Sequence, residues 1–318
     1  MEDKRKTLEN IAQTDIFKVA GQADNFVGNP FRIDFDKTSV LTCDDWKHKV
    51  GGIAQGCFLL AFYENDFGDE EVNEILLLRA LKPCPIPSDN NVIASRIEYF
   101  KEQLKTAGVN RQIDQFTRFE FSCSGLECSI LGTFYKNKQG GIEFGADVEN
   151  FYSPHLYKVY KPSGEYLQYI VNIRDAAGPL ESESNFQIGT VRYSSSRKEY
   201  EPDNQSNDER VYIHTRDILG KRTALFGMTR TGKSNTVKKL IEATEELSTK
   251  PAVGQIIFDI NGEYANKNLQ DGMAIFEKYK SKVTRYSVLE KQGFKVLKIN
   301  CYNELTAGLE LIRGYFKT

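Results

Sequence analysis

The chain has 318 residues, 40% hydrophobic and 27% charged, the profile of a folded globular protein with room for two or three domains. Its 42 basic and 44 acidic side chains leave a formal charge of -2, which gives no signature of a dedicated basic nucleic-acid module but leaves room for a local basic surface. The opening MEDKRKTLEN is charged with no apolar region behind it, and the runs GCFLLAFY and EILLLRAL are too short to cross a bilayer. Neither a secretory leader nor a membrane partner is therefore expected, and the expected location is cytoplasmic.

From Ile16 to about Arg174, short strand-like runs alternate with turns: TSVLTC, GGIAQGCFLLAFY, EVNEILLLRAL, CSILGTFY, GIEFGADV and HLYKVYKPSGEYLQYIV. Many are bounded by Gly, Asn, Pro or Asp, which favour turns. One helix is expected between them. PSDNNVIASRIEYFKEQLK opens after Pro87, offers Ser88 and Asp89 as caps, and lines up Val92, Ile93, Ile97, Phe100 and Leu104. The pattern fits a small β-sheet or β-barrel with an inserted helix over residues 1–174.

No convergent catalytic group stands out in this half. His48 and His155 are isolated, which suits structural or solvated side chains. The six cysteines, Cys43, Cys57, Cys84, Cys123, Cys128 and Cys301, read as free buried thiols. Cys123 and Cys128 have neither a histidine nor a second cysteine pair beside them, so zinc is not expected. Tyr157, Tyr160, Tyr166 and Tyr169 suggest a nucleic-acid stacking face, but packing between strands accounts for them more simply. Residues 175–210, with YSSSRKEYEPDNQSNDER, form an expected polar connector before an α/β domain over 211–318.

That second domain carries Gly227-Met228-Thr229-Arg230-Thr231-Gly232-Lys233-Ser234, the full G-x-x-x-x-G-K-S pattern. TALF, Thr223 to Phe226, precedes it as a short buried strand, and SNTVKKLIEATEEL follows as a helix with Val237, Leu240, Ile241 and Leu247 near one face. Strand, glycine loop and helix in that order predict a P-loop. Gly227 and Gly232 allow close backbone approach to phosphate, and successive amides and the helix N-terminus face the anion. Lys233 is expected to span the β- and γ-phosphates of ATP as a catalytic cation, and Ser234 to hold Mg²⁺. Asn235 and Thr236 assist the site or simply cap the helix.

The run PAVGQIIFDINGEYA gives a second strand, about Gln255 to Ile260, ending in Asp259 and Glu263. Acidic groups at the carboxyl end of a parallel strand lie where such sheets bind ligands. Two readings stand side by side: Asp259 and Glu263 position water or Mg²⁺, with Glu263 the catalytic candidate, or Asp259 caps the NGEY turn and Glu263 orders a neighbouring loop. SKVTRYSVL and FKVLKIN read as strands and NELTAGLELIRGYF as a helix. No later strand ends in an adjacent Asp-Glu pair.

These residues resemble the HerA family of P-loop ATPases, related more distantly to the FtsK DNA pumps. The likeness covers the phosphate loop with SNTV, then IIFDINGEYA with its Asp-x-x-Gly-Glu-Tyr signature at Asp259, Gly262, Glu263 and Tyr264, then FKVLKIN. DNFVGNPF and GIAQGCFLLAF look like the HAS barrel that precedes the family's ATPase core. The resemblance implies a RecA-like, additional-strand ATPase domain using ATP and Mg²⁺, and assembly into a hexamer. It further implies translocation on duplex DNA beside a nuclease or a sirtuin-like NADase effector, in DNA processing or anti-phage defence. An ATP-binding platform that activates an effector without moving DNA is the alternative. Family members continue past this length into an Asp-Glu pair and an intersubunit arginine, so the chain is expected to hold the barrel and part of the motor domain. Arg230 departs from the family's usual glycine. Residues 264–318 carry ten basic and five acidic side chains, which permits a basic surface.

Overall fold

Apolar runs bounded by turn residues form strands in the first part of the chain, and seven of them make one sheet. They are β1 (Phe26–Ile33), β2 (Lys37–Thr42), β3 (Phe58–Tyr63), β4 (Glu74–Cys84), β5 (Ser124–Lys136), β6 (Ile142–Gly145) and β7 (Tyr157–Tyr160). The structure, a computed structural model, describes residues 11, 13–64, 74–105, 114–148, 152–173, 185–191, 209–214, 217–228, 232–247, 253–267, 272, 274–298, 300 and 303–315. The chain divides into two compact units, Met1–Ile213 and His214–Thr318.

In the first unit the sheet order is β2-β1-β7-β3-β4-β5-β6, and β2 also pairs with β5. Six strands thus close an antiparallel barrel, with β6 added against the far end of β5. The closing seam runs from Lys37 opposite Ser129 to Thr42 opposite Ser124. Strand parity divides the core in two. Val27, Val40, Leu59, Ala61, Leu76, Leu78, Cys128 and Val159 form one buried cluster, to which all six barrel strands contribute. Leu60, Phe62, Ile75, Leu77 and Phe134 point the other way and pack with Ile16, Val19, Tyr166, Tyr169 and Ile170. Both faces of β3 and β4 are therefore covered, which is why their sequences are continuous apolar runs.

The stretch HLYKVYKPSGEYLQYIV divides rather than forming one strand-like run. Tyr157–Tyr160 is β7, whereas Glu165–Asn172 is a helix, and Gly164 at φ +56 turns the chain between them. Tyr166, Leu167, Tyr169 and Ile170 are buried at helical spacing, a period of 3.6 that overrides the aromatic strand preference. Packing accounts for the four tyrosines, as all are less than 10% exposed. Tyr160 meets Phe62 edge to face at 5.3 Å, and burial pushes the Tyr157 and Tyr169 phenols up to about 12.

Numbered in chain order, the helices of this unit are α1 (Asp44–Lys49), α2 (Asp89–Lys105), α3 (Gln115–Ser122) and α4 (Glu165–Asn172). Asp114 caps α3 by accepting from the amides of Phe116 and Thr117. The helix α2 lies where the sequence places it, and among the described side chains of its apolar set Val92 is buried. Ile93, Ile97 and Phe100 are exposed. Strand β8 (Asn185–Thr190), within the stretch expected as connector, pairs with β9 (Arg210–His214). Asn172 joins β9 to α4, donating to the Arg210 carbonyl and accepting from the Tyr212 amide. Most of YSSSRKEYEPDNQSNDER and the Cys301 thiol lie outside the described residues. Cys43, Cys57, Cys84, Cys123 and Cys128 are free, and among the described residues no group of side chains is arranged to hold a metal. His48 and His155 are exposed.

The second unit contains α5 (Lys233–Leu247), α6 (Ile275–Lys278) and α7 (Leu305–Tyr315), with β10 (Tyr286–Ser287) parallel to β11 (Lys295–Val296). The expected buried strand at TALF and the strand at Gln255 to Ile260 are not found as strands. Both segments lie outside any ladder, and Phe226, Ile256 and Phe258 are more than 85% exposed. Apolar composition signals a buried strand only where neighbours exist to cover it. Among the described residues of this unit, only β10 and β11 pair. The helix α5 is instead held through its acidic side: Glu242 pairs with Lys239 and Lys278, Glu246 with Lys278, and Glu245 with Lys282.

Candidate functional site

Helix α5 starts at Lys233, directly after Gly232 at φ +88, a left-handed conformation that favours glycine. The Gly232 carbonyl accepts the Thr236 amide at 2.9 Å and the Thr236 hydroxyl at 3.1 Å, which begins the helix. The amides of the first turn have no earlier carbonyl within the helix and remain available as donors. Lys233 folds back over the preceding loop. Its ammonium donates to the carbonyls of Gly227 at 2.6 Å and Met228 at 2.5 Å. Thr229, Arg230 and Thr231 lie outside the described residues.

Asp259 organises the acidic turn. One of its carboxylate oxygens accepts the Glu263 amide at 2.9 Å, and the other accepts the amides of Tyr264 at 3.0 Å and Ala265 at 2.8 Å. Both oxygens are thus engaged with backbone, as in an Asx turn. Gly262 and Asn266 complete the turn through the Asn266 amide and the Gly262 carbonyl at 3.2 Å. These are the backbone bonds that the capping reading of Asp259 expects.

Glu263 does something different. Its carboxylate accepts a hydrogen bond from the Ser234 hydroxyl. Burial, then the adjacent Glu263 charge, pushes the Tyr264 phenol up. The structure therefore brings Ser234, the residue after Lys233, against Glu263, while Lys233 itself reaches the loop carbonyls of Gly227 and Met228. Asn235 is exposed on the first turn of α5, and Asp259 stands behind the turn that carries Glu263.

Arg285 had no assigned role from sequence. It lies after α6, and its guanidinium donates to Ala265, two residues beyond Glu263. The available signal was an arginine between Phe276 and Phe294 in a lysine-rich segment, but only the folded chain puts those rings on either side of it.

Among the described residues, no helix is long and apolar enough to cross a membrane. Residues 187–306 match the family model described as the central domain of helicase HerA. No curated protein matches the chain.

Proposed function

We propose that residues 227–264 form the ATP·Mg²⁺ site of a P-loop ATPase motor that assembles as a ring, a hexamer by the family resemblance, and moves on duplex DNA. The observation that carries this reading is the meeting of Ser234, beside Lys233 at the start of α5, with Glu263 of a separate segment. The match over residues 187–306 to the central domain of helicase HerA supports the motor class. The family resemblance is the support for a nuclease or sirtuin-like NADase partner and for work in DNA processing or anti-phage defence.

The side chains present suit a nucleotide and a divalent cation. Lys233 supplies a positive charge on a long, mobile stem, and its two present partners are neutral carbonyls that phosphate oxygens outcompete. First-turn amides of α5 face an anion with the favourable end of the helix dipole. Ser234 and Glu263 supply two oxygen donors of the kind Mg²⁺ prefers. When bound, Mg²⁺ supplies neutralisation of charge on the phosphates. Lys233 binds and orients the phosphates, and Glu263 orients or accepts a proton from the attacking water.

A second reading, an ATP-dependent assembly platform without DNA transport, is favoured by the bare apolar stripe of α2 at Ile93, Ile97 and Phe100. Phosphate release with and without duplex DNA, compared between the wild type and Lys233→Ala, separates the two. The motor reading expects Lys233-dependent release that duplex stimulates. Release unaltered by Lys233→Ala removes the ATP site, and Lys233-dependent release indifferent to DNA favours the platform.

A further inference from the structure

The Arg285 guanidinium lies 3.7 Å from the centroid of the Phe276 ring and 4.2 Å from that of Phe294. Its Nη1 donates to the Ala265 carbonyl at 3.1 Å and its Nη2 to the Gly293 carbonyl at 3.3 Å. No carboxylate pairs with it among the described residues, and its Nε is buried without a partner. Withdrawing a guanidinium from water is costly, and two carbonyls and two ring faces offset that only in part. Gly293, at φ +79, makes room for it: a Cβ there would stand 2.9 Å from Nη2. Such an arrangement is a poor stabilising device but a good clamp, because a planar fork between two rings fixes the direction of each N–H.

What the clamp holds is the acidic turn. Asp259 secures the amides of Glu263, Tyr264 and Ala265 from one side. On the outgoing side, the Tyr264 carbonyl accepts from the Ile275 amide at 3.1 Å and the Ala265 carbonyl from Arg285. Glu263 lies between these anchors, with its carboxylate against Ser234. We propose that Arg285 is a positioning residue for Glu263, acting through the Ala265 carbonyl to hold that carboxylate at the Ser234 hydroxyl. This rests on the ATP·Mg²⁺ reading of the site. Arg285 itself touches neither Ser234 nor Lys233 by any hydrogen bond among the described residues. Its effect is confined to where Glu263 sits, and so to the part of nucleotide affinity that depends on the metal.

The test compares full chains of the wild type, Arg285→Lys, Gly293→Ala, Glu263→Gln, Lys233→Ala and the Arg285→Lys/Glu263→Gln double variant. Each is followed by hydrogen–deuterium exchange and by calorimetric titration with ATP, in Mg²⁺ and in EDTA. Lysine keeps the charge but loses the fork, and Gly293→Ala displaces the guanidinium without removing it. Arg285→Lys is expected to speed exchange over residues 263–265 about tenfold while leaving α5 unchanged. It is also expected to lose about tenfold of the Mg²⁺-dependent gain in ATP affinity, as Glu263→Gln does, with metal-free affinity kept. The double variant is expected to lose no more than Glu263→Gln alone. Wild-type exchange and a wild-type Mg²⁺ gain in both Arg285→Lys and Gly293→Ala overturn the proposal. Equal losses with and without Mg²⁺ mark general loosening and overturn it as well. Wild-type ATP binding indifferent to Lys233→Ala overturns the ATP reading and the positioning role with it, so the two failures are distinguishable.

Discussion

At the scale of single residues, Lys233 and Asp259 sit in the same small region and are expected to fail differently. Lys233→Ala removes a partly exposed cation whose partners are two loop carbonyls, so the fold survives while ATP affinity falls by at least about tenfold. Calorimetry with ATP, with circular dichroism as the fold control, measures both. Asp259→Ala instead leaves three amides of the turn without their acceptor, at a cost of about 1–2 kcal/mol in the stability of the second unit, read by urea denaturation. Unchanged stability with a lost Mg²⁺ response would assign Asp259 to the metal instead of the turn. The spacing Gly227 to Ser234 was legible as a motif because its residues are neighbours in sequence. Asp259 and Glu263 were legible as neighbours at one turn, but not which of them the turn's own amides engage. Arg285 was not legible, since its rings and carbonyls come from Phe276, Phe294, Ala265 and Gly293 and meet only on folding.

At the scale of elements, the helix α2 gives a direct test of what its sequence stripe means. Ile97→Asp is expected to change stability by no more than about 0.5 kcal/mol, because Ile97 is already exposed to water. Leu78→Ala on β4 is expected to cost about 2–5 kcal/mol, because Leu78 is fully buried in the barrel cluster. Thermal or urea melts of the two variants decide. A large loss from Ile97→Asp would mean that a second chain covers the stripe in solution. The strands β2 to β6 and the helix α2 were readable because turn residues bracket them and their apolar spacing is regular. Helix α4 was misread because Tyr166 and Tyr169 favour strands by type, while their spacing with Ile170 serves a helix. The segments at TALF and QIIFDI were read as strands from composition alone, and composition does not supply a pairing partner.

At the scale of the whole molecule, the two units are expected to melt separately. Differential scanning calorimetry of the full chain should resolve two transitions, and residues 1–213 alone should reproduce the one that belongs to the barrel. A single transition absent from 1–213 would show that the units fold only together. The first unit carries its own closed sheet and two buried clusters, which is the physical ground for its independence. The seam between β2 and β5 adds a consequence in time. Lys37 meets Ser129 there, while β7 joins β1 to β3, so a ribosome must deliver helices α1 to α3, β5 and then β7 before the ring of strands can shut. Until then β2 lacks β5 and β1 lacks β7, so both edges are open to any passing strand, and the entropy of gathering so long a stretch of chain falls on these two pairings. Refolding of residues 1–213 should accordingly be slow for its size, in the millisecond-to-second range, and prone to yield loss at high concentration. The nascent chain is most vulnerable to misassembly in the interval before β7 emerges.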